Sequence, residues 1–176
     1  EFNQLLSITS LRMGIGEKMC DYYEKKFNCS FIPFSNPIET KKWSKHKSNK
    51  RYDGKFRIVY AGTINSKNVN GLKIFVDIVE ELNTQGKRIE FKILTFHPRV
   101  DFYRAMYEKP PSVIMDEVPD NDDDMAYMLG TADLLFLPID FTKNSIERMR
   151  FSIFAKISAY MSSATPILFF GPSEIA

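Results

Sequence analysis

Residues 56–95, FRIVYAGTINSKNVNGLKIFVDIVEELNTQGKRIEFKILT, spell out a strand, a helix and a second strand. Residues 56–61 (FRIVYA) are β-branched and aromatic, and Gly62 ends the run. Over 69–84, Leu72, Phe75, Val76, Val79 and Leu82 recur three and four residues apart. That spacing places them on one face of a helix of about four turns. Gly86 marks its stop, and 89–95 (IEFKILT) form the next strand. Neighbouring strands joined through such a helix are parallel, with a right-handed crossover.

The alternation continues toward the C-terminus. Residues 98–108 predict a helix, opened by Pro98 and closed by Pro110-Pro111, and 112–115 a short third strand. Residues 125–129 lie on a helix with Asp122 to Asp124 in its first turn. A fourth strand spans 134–137, a helix 153–161 and a fifth strand 166–170. Repeated units of this kind imply an α/β fold: a doubly wound, Rossmann-like parallel sheet with helices on both faces. Such a sheet takes a further helix after its fifth strand, so 55–176 are read as a domain truncated at its C-terminus. Residues 1–36 break the rhythm, with a helix over 14–27 and a strand over 30–34. They are read as the end of a preceding domain, and 37–54 as a basic linker.

The 176 residues are 44% hydrophobic and 26% charged, which supports a packed core and excludes a disordered chain. The longest apolar runs, such as 132–139, are broken by Asp133 and Pro138, far short of the roughly 20 residues a membrane helix needs. A net charge of +2 gives no overall attraction to nucleic acid, and none is expected as a partner. The charge is uneven, however. Lys41, Lys42, Lys45, Lys47, Lys50 and Arg51 share residues 41–51 with Trp43 and His46 and with no acid. The stretch reads either as a solvated linker or as a patch drawn to an anionic membrane or a phosphate-bearing ligand. Cys20 and Cys29 read as reduced thiols of a cytosolic protein, with a disulfide as the alternative.

In open α/β sheets, ligands sit outside the carboxyl ends of the strands, where strand order reverses. The first such end carries Gly62, Thr63, Asn65, Ser66 and Lys67. Gly62 permits close backbone approach, and the others supply donors and a cation. The fourth strand leads into Lys143, Glu147, Arg148 and Arg150, then Ser152 and Lys156 near a helix start. Cations beside free helix N–H groups make this the best anion site in the chain. His97, after the second strand, reads as a surface residue or a ligand contact. The acidic run 120–124 (DNDDD) reads as a helix start favoured by the helix dipole, and no metal is assigned to it. No nucleophile or acid–base pair is legible, so the catalytic residues are unassigned.

Three segments carry a resemblance: YAGTINSKNVNGLKIFVDIVEEL, VPDNDDDMAYMLGTADLLFLPI and FAKISAYMSSATPIL. In order and spacing, 55–176 resembles the carboxyl-terminal, donor-binding half of a GT-B glycosyltransferase, most similar to the family 4 group. GEKMCDYYEKKFNCSFIPFSNPIE resembles that group's helix and strand before the interdomain linker. The resemblance implies one half of a GT-B architecture and a nucleotide-sugar donor, which is a substrate, so no cofactor is expected. It implies a bacterial enzyme of polysaccharide or glycoconjugate synthesis that is metal-independent and retaining. Its acceptor would be a sugar or lipid-linked molecule, and its place the cytoplasm, with peripheral contact at the inner membrane face. Gly62, Thr63 and Lys67 would approach the phosphates. Arg150, Ser152, Lys156 and the N–H groups around Phe154 and Ala155 would meet the pyrophosphate, and Val118 and Pro119 the base. The chain departs from the pattern at Ala159, where the family has an acid, at Ala164, its turn glycine, and at Phe154-Ala155, its Pro-Ser/Thr. A non-catalytic binding or scaffolding homologue is the alternative.

Overall fold

The computed structural model describes residues 2–46 and 52–175. The elements, in order, are α1 (Phe2–Ile8), β1 (Met13–Gly14), α2 (Glu17–Phe27), β2 (Ile32–Pro33), α3 (Thr40–Ser44), β3 (Phe56–Ala61), α4 (Val69–Thr84), β4 (Ile89–Thr95), α5 (Arg99–Tyr107), β5 (Val113–Glu117), α6 (Asp122–Thr131), β6 (Leu134–Pro138), α7 (Lys143–Met149), α8 (Ile157–Ser162) and β7 (Ile167–Phe170). Five strands form one parallel sheet in the order β5-β4-β3-β6-β7, so strand order reverses between β3 and β6. The doubly wound, Rossmann-like sheet is therefore present.

Alternation along each strand divides the core in two. Ile58 and Tyr60 of β3, Phe91 and Ile93 of β4 and Phe136 of β6 pack with Leu72, Phe75, Val76 and Val79 of α4 and with Tyr103 and Tyr107 of α5. Phe75 stacks on Phe136 at 3.9 Å and meets Phe91 edge-on at 5.1 Å, the geometries ring quadrupoles favour. On the opposite face Val59, Ala61, Leu94, Leu135 and Leu137 pack with Leu129 of α6 and Tyr160 of α8. Helices thus cover both faces.

The expected boundaries of β3, α4 and β4 coincide with those observed. Elsewhere there are differences. The helix expected over 14–27 begins at Glu17, and the strand expected over 30–34 shortens to a two-residue pairing of Ile32–Pro33 with Met13–Gly14. The helix expected from 153 begins at Ile157, because Phe154 leaves the helical path to pack against the second core. Two short helices, α3 and α7, stand where only linker and loop were expected.

Over 40–46 the basic stretch is only partly solvated, with Lys41 and Lys45 exposed and Trp43 half-buried. Here α3 docks on the sheet domain, with Trp43 packed against the second core. Lys42 pairs with Asp122 at 3.0 Å and Lys45 with Asp123 at 2.7 Å. Two cations of the basic stretch thus face two carboxylates of the acidic run. Lys47, Lys50 and Arg51 lie outside the described residues. Cys20 and Cys29 are free thiols.

The turn between α8 and β7 holds Ala164 at φ 55°, a left-handed conformation that a Cβ disfavours. Ala164→Gly is expected to stabilise the fold by about 0.5–1 kcal/mol. Urea denaturation would show this as a raised midpoint at unchanged slope.

Candidate anion-binding cleft

The reversal of strand order opens a cleft. β3 pairs with β4 over six residues, but with β6 only at Ile58↔Leu134 and Val59↔Leu135. Beyond Val59 the two strands diverge. The Tyr160 hydroxyl of α8 fills the gap, accepting from the Ala61 N–H at 2.8 Å. A cleft of about 670 Å³ opens above this point. Its walls come from α3, the loops after β3, β4 and β5, the end of β6, α6, and the segment from the end of α7 into α8.

The loop after β3 is rigidly held from beneath. Tyr60 donates its hydroxyl proton to the Thr63 carbonyl at 2.9 Å. The Asn68 amide nitrogen donates to the Tyr60 hydroxyl at 2.9 Å and to the Thr63 carbonyl at 3.0 Å, while its oxygen accepts from the Asn65 N–H at 2.9 Å. Burial pushes the ordinary ionisation of both Tyr60 and Tyr160 upward, so both remain neutral donors.

Lys156 lies across the cleft on this loop. Its Nζ sits 4.0 Å from the centre of the Tyr60 ring. A Cβ built on Gly62, whose φ is 144°, would meet that Nζ at 2.7 Å. A side chain here would push the ammonium aside, and the backbone angle itself favours glycine. No carboxylate pairs with Lys156 among the described residues, and the ring face is its only close compensation. Burial lowers its pKa from 10.5 to about 7. The residue as a whole is only partly buried, so this depression belongs to the ammonium end, walled in by Gly62 and Tyr60. An enclosed, uncompensated cation favours any anion that reaches it.

The N-terminus of α4, the usual place for a phosphate in such folds, is already occupied by a carboxylate. Asp140, buried at 2% exposure, accepts from the Gly71 N–H at 2.6 Å, the Asn70 N–H at 3.2 Å and the Asn70 side-chain amide at 3.0 Å. Its own N–H donates to the Lys67 carbonyl at 2.7 Å. A Cβ on Gly71 would stand 3.1 Å from Pro138 and 3.3 Å from Asp140, so any larger residue would press on this contact. Asp140 thereby ties the two loops flanking the strand reversal and leaves Lys156 as the principal partner for a bound anion.

Of the residues singled out from the sequence, Gly62, Thr63, Lys67, Val118, Ser152, Phe154, Ala155 and Lys156 all line the cleft. The backbone N–H groups of Phe154 and Ala155 make no hydrogen bond within the described residues. Pro119 lies beside Val118 but outside the lining. Arg150 is exposed and turned onto the Phe151 ring, which itself stacks on Tyr22 at 4.4 Å. His97 is exposed and outside the cleft, whereas its neighbour Phe96 is in it. Sequence reasoning missed Asp140, Asn68 and the place of Trp43. An Asn before a helix and an Asp after a strand were visible signals for the first two.

Three solved structures share this architecture. The pneumococcal O-GlcNAc transferase GtfA, in complex with UDP and GlcNAc, matches with a TM-score of 0.60 and 9% identity over 96% of this chain and 31% of that one. TarM matches with a TM-score of 0.55 and 12% identity, over 92% of this chain and 30% of its own. A trehalose-6-phosphate synthase studied for glycosyl transfer with retention gives a TM-score of 0.51 and 8% identity, covering 84% and 38%. The first is an O-GlcNAc transferase and the third is described as performing enzymatic glycosyl transfer. The chain has the fold of a GT-B half-domain. It spans about a third of the length of the structures it matches. At these identities the likeness is one of architecture. No protein-family model matches the sequence, and no curated protein matches it.

Within this fold Tyr160 closes the floor of the cleft. Tyr160→Phe leaves the buried Ala61 N–H without an acceptor and is expected to cost about 1–3 kcal/mol. Chemical denaturation measures that loss, and amide exchange would show faster opening at Ala61. An unchanged midpoint would remove the bond from the account.

Proposed function

We propose that this chain is the donor-binding part of a glycosyltransferase, holding the diphosphate of a nucleotide sugar beside Lys156. The supporting observation is an unpaired, enclosed ammonium set against a glycine bend at the strand reversal of a GT-B half-domain. When the bond from the sugar to the diphosphate breaks, the leaving oxygen gains negative charge. A fixed cation there stabilises the charge as it develops. The reading extends to transfer with retention onto a sugar or lipid-linked acceptor in bacterial glycoconjugate synthesis. The acceptor would be engaged by polypeptide outside this chain. A lipid-linked acceptor would bring the protein to the cytoplasmic face of a membrane; no described helix is long and apolar enough to cross one.

Calorimetric titration with nucleotide sugars tests the reading, with dissociation constants of millimolar or tighter expected. Binding should also depend on pH, with a sign fixed by Lys156. Its pKa of about 7 in the free protein means that the cation is present below pH 7 and lost above it. The diphosphate of a nucleotide sugar does not titrate in this range. Affinity should therefore be highest below pH 7 and fall by about thirtyfold between pH 6 and 8.5. A flat profile would separate binding from Lys156.

One observation favours a second reading, a non-catalytic scaffolding homologue. Ala159 lines the cleft one turn beyond Lys156, and no carboxylate joins it among the described lining residues. Absence of binding by every nucleotide sugar at millimolar concentration would support that reading.

A further inference from the structure

The polar side chains lining the cleft are mostly engaged with the protein itself. The Asn65 oxygen accepts from the Lys67 N–H at 2.9 Å. Asn68 is satisfied at both ends, by Tyr60, Thr63 and Asn65. The Ser152 hydroxyl donates to the Arg148 carbonyl at 3.0 Å, and the Tyr160 hydroxyl is held at Ala61. Among the described lining side chains this leaves the Lys67 and Lys156 ammoniums, the Asn65 amide nitrogen, the Trp43 indole N–H and the Thr63 hydroxyl. All but the last are donors only. The remaining wall is apolar: Trp43, Phe96, Val118, Met125, Leu129 and Phe154.

Such a surface holds a phosphate at one end and a flat ring along the other. For a sugar hydroxyl between them, which gains most by donating to a charged acceptor, the described side chains offer no carboxylate. We propose that the cleft selects its ligand by phosphate charge at Lys156 and by a flat ring against the wall containing Trp43, Met125 and Phe154, leaving the pentose hydroxyls unread. The inference rests on the reading of this cleft as a nucleoside diphosphate site. A site built to hydrogen-bond a hydroxyl rejects the analogue lacking it by about 10⁴-fold or more, whereas an unread hydroxyl changes affinity only a few-fold.

The test is calorimetry on the full chain. UDP, ADP and GDP are titrated first. The tightest of them is then compared with its 2′-deoxy and 2′,3′-dideoxy forms and with inorganic pyrophosphate. The expected result is three nucleotides within about fivefold of one another and pyrophosphate at least about tenfold weaker. A larger loss on removing the hydroxyls overturns the inference and leaves the cleft a nucleotide site. Pyrophosphate within tenfold of the nucleotide also overturns it, by removing the ring from recognition. No binding by any nucleoside diphosphate at millimolar concentration overturns both this inference and the reading beneath it.

Discussion

Lys156→Met is expected to abolish nucleotide-sugar binding and, at the same time, to raise the stability of the ligand-free protein. The two effects have one cause. The ammonium is enclosed by Gly62 and the Tyr60 ring without a facing carboxylate, so its charge is tolerated only in part. A methionine of similar length keeps the packing and removes the charge. Affinity for a nucleotide sugar should fall by about 100-fold or more, the loss expected when a charge-assisted contact to a diphosphate disappears. Stability should rise by an amount on the order of 2–4 kcal/mol at neutral pH.

The sign follows from linkage. The folded protein holds Lys156 at about 7 and the unfolded chain near its ordinary 10.5. The cost of the cation is therefore complete below pH 7. It declines as pH rises, because the unfolded chain binds the extra proton in that interval. The gap between variant and wild type should close as pH approaches 10.5. A lysine important only for packing would give neither the gain nor its pH dependence. Denaturation at pH 7 and pH 10, together with calorimetry at pH 6.5, would distinguish the two.

The second large effect belongs to Asp140. Asp140→Ala removes the acceptor of the Gly71 and Asn70 N–H groups and of the Asn70 side chain, within a buried environment. The expected loss is about 3 kcal/mol, as for a buried carboxylate with several donors. Asp140→Asn keeps one oxygen for the Gly71 N–H but turns an NH₂ toward the remaining donors, so it should recover only part of the loss. The same substitutions should loosen the loop after β3 where it enters α4, because the carboxylate is what anchors the Asn70 and Gly71 N–H groups there. Faster amide exchange over 63–70 would accompany the lower denaturation midpoint. A change below about 1 kcal/mol in Asp140→Ala would show that water replaces the carboxylate at the α4 N-terminus.

The parts of this molecule that were legible in its sequence are those governed by periodicity. β3, α4 and β4 have their expected ends because a period of two, a period of nearly four, and Gly62 and Gly86 all agree locally. The meeting of the Gly62 bend with Lys156 was legible through a rule of topology, since both follow strands that flank a reversal of order. Elements stabilised by distant partners were not legible. α3 has five residues, and its lysines find Asp122 and Asp123 some eighty positions away. α7 depends on Thr142, whose hydroxyl oxygen accepts from the Ser145 N–H at 3.2 Å, within a stretch whose charges suggested only a loop. The role of Asp140 is set by Asn70 and Gly71, about seventy positions earlier. Arg150 looked like one more phosphate cation. The aromatic stack of Tyr22 and Phe151 draws it away, and neither ring signals the other in sequence.

The most direct test of the central claim is a crystal structure of the chain with a bound nucleotide sugar. The account predicts the diphosphate in the cleft beside Gly62, with an oxygen about 3 Å from the Lys156 Nζ. A nucleotide sugar bound with its phosphates elsewhere, and with Lys156 still resting unpaired on the Tyr60 ring, would contradict it.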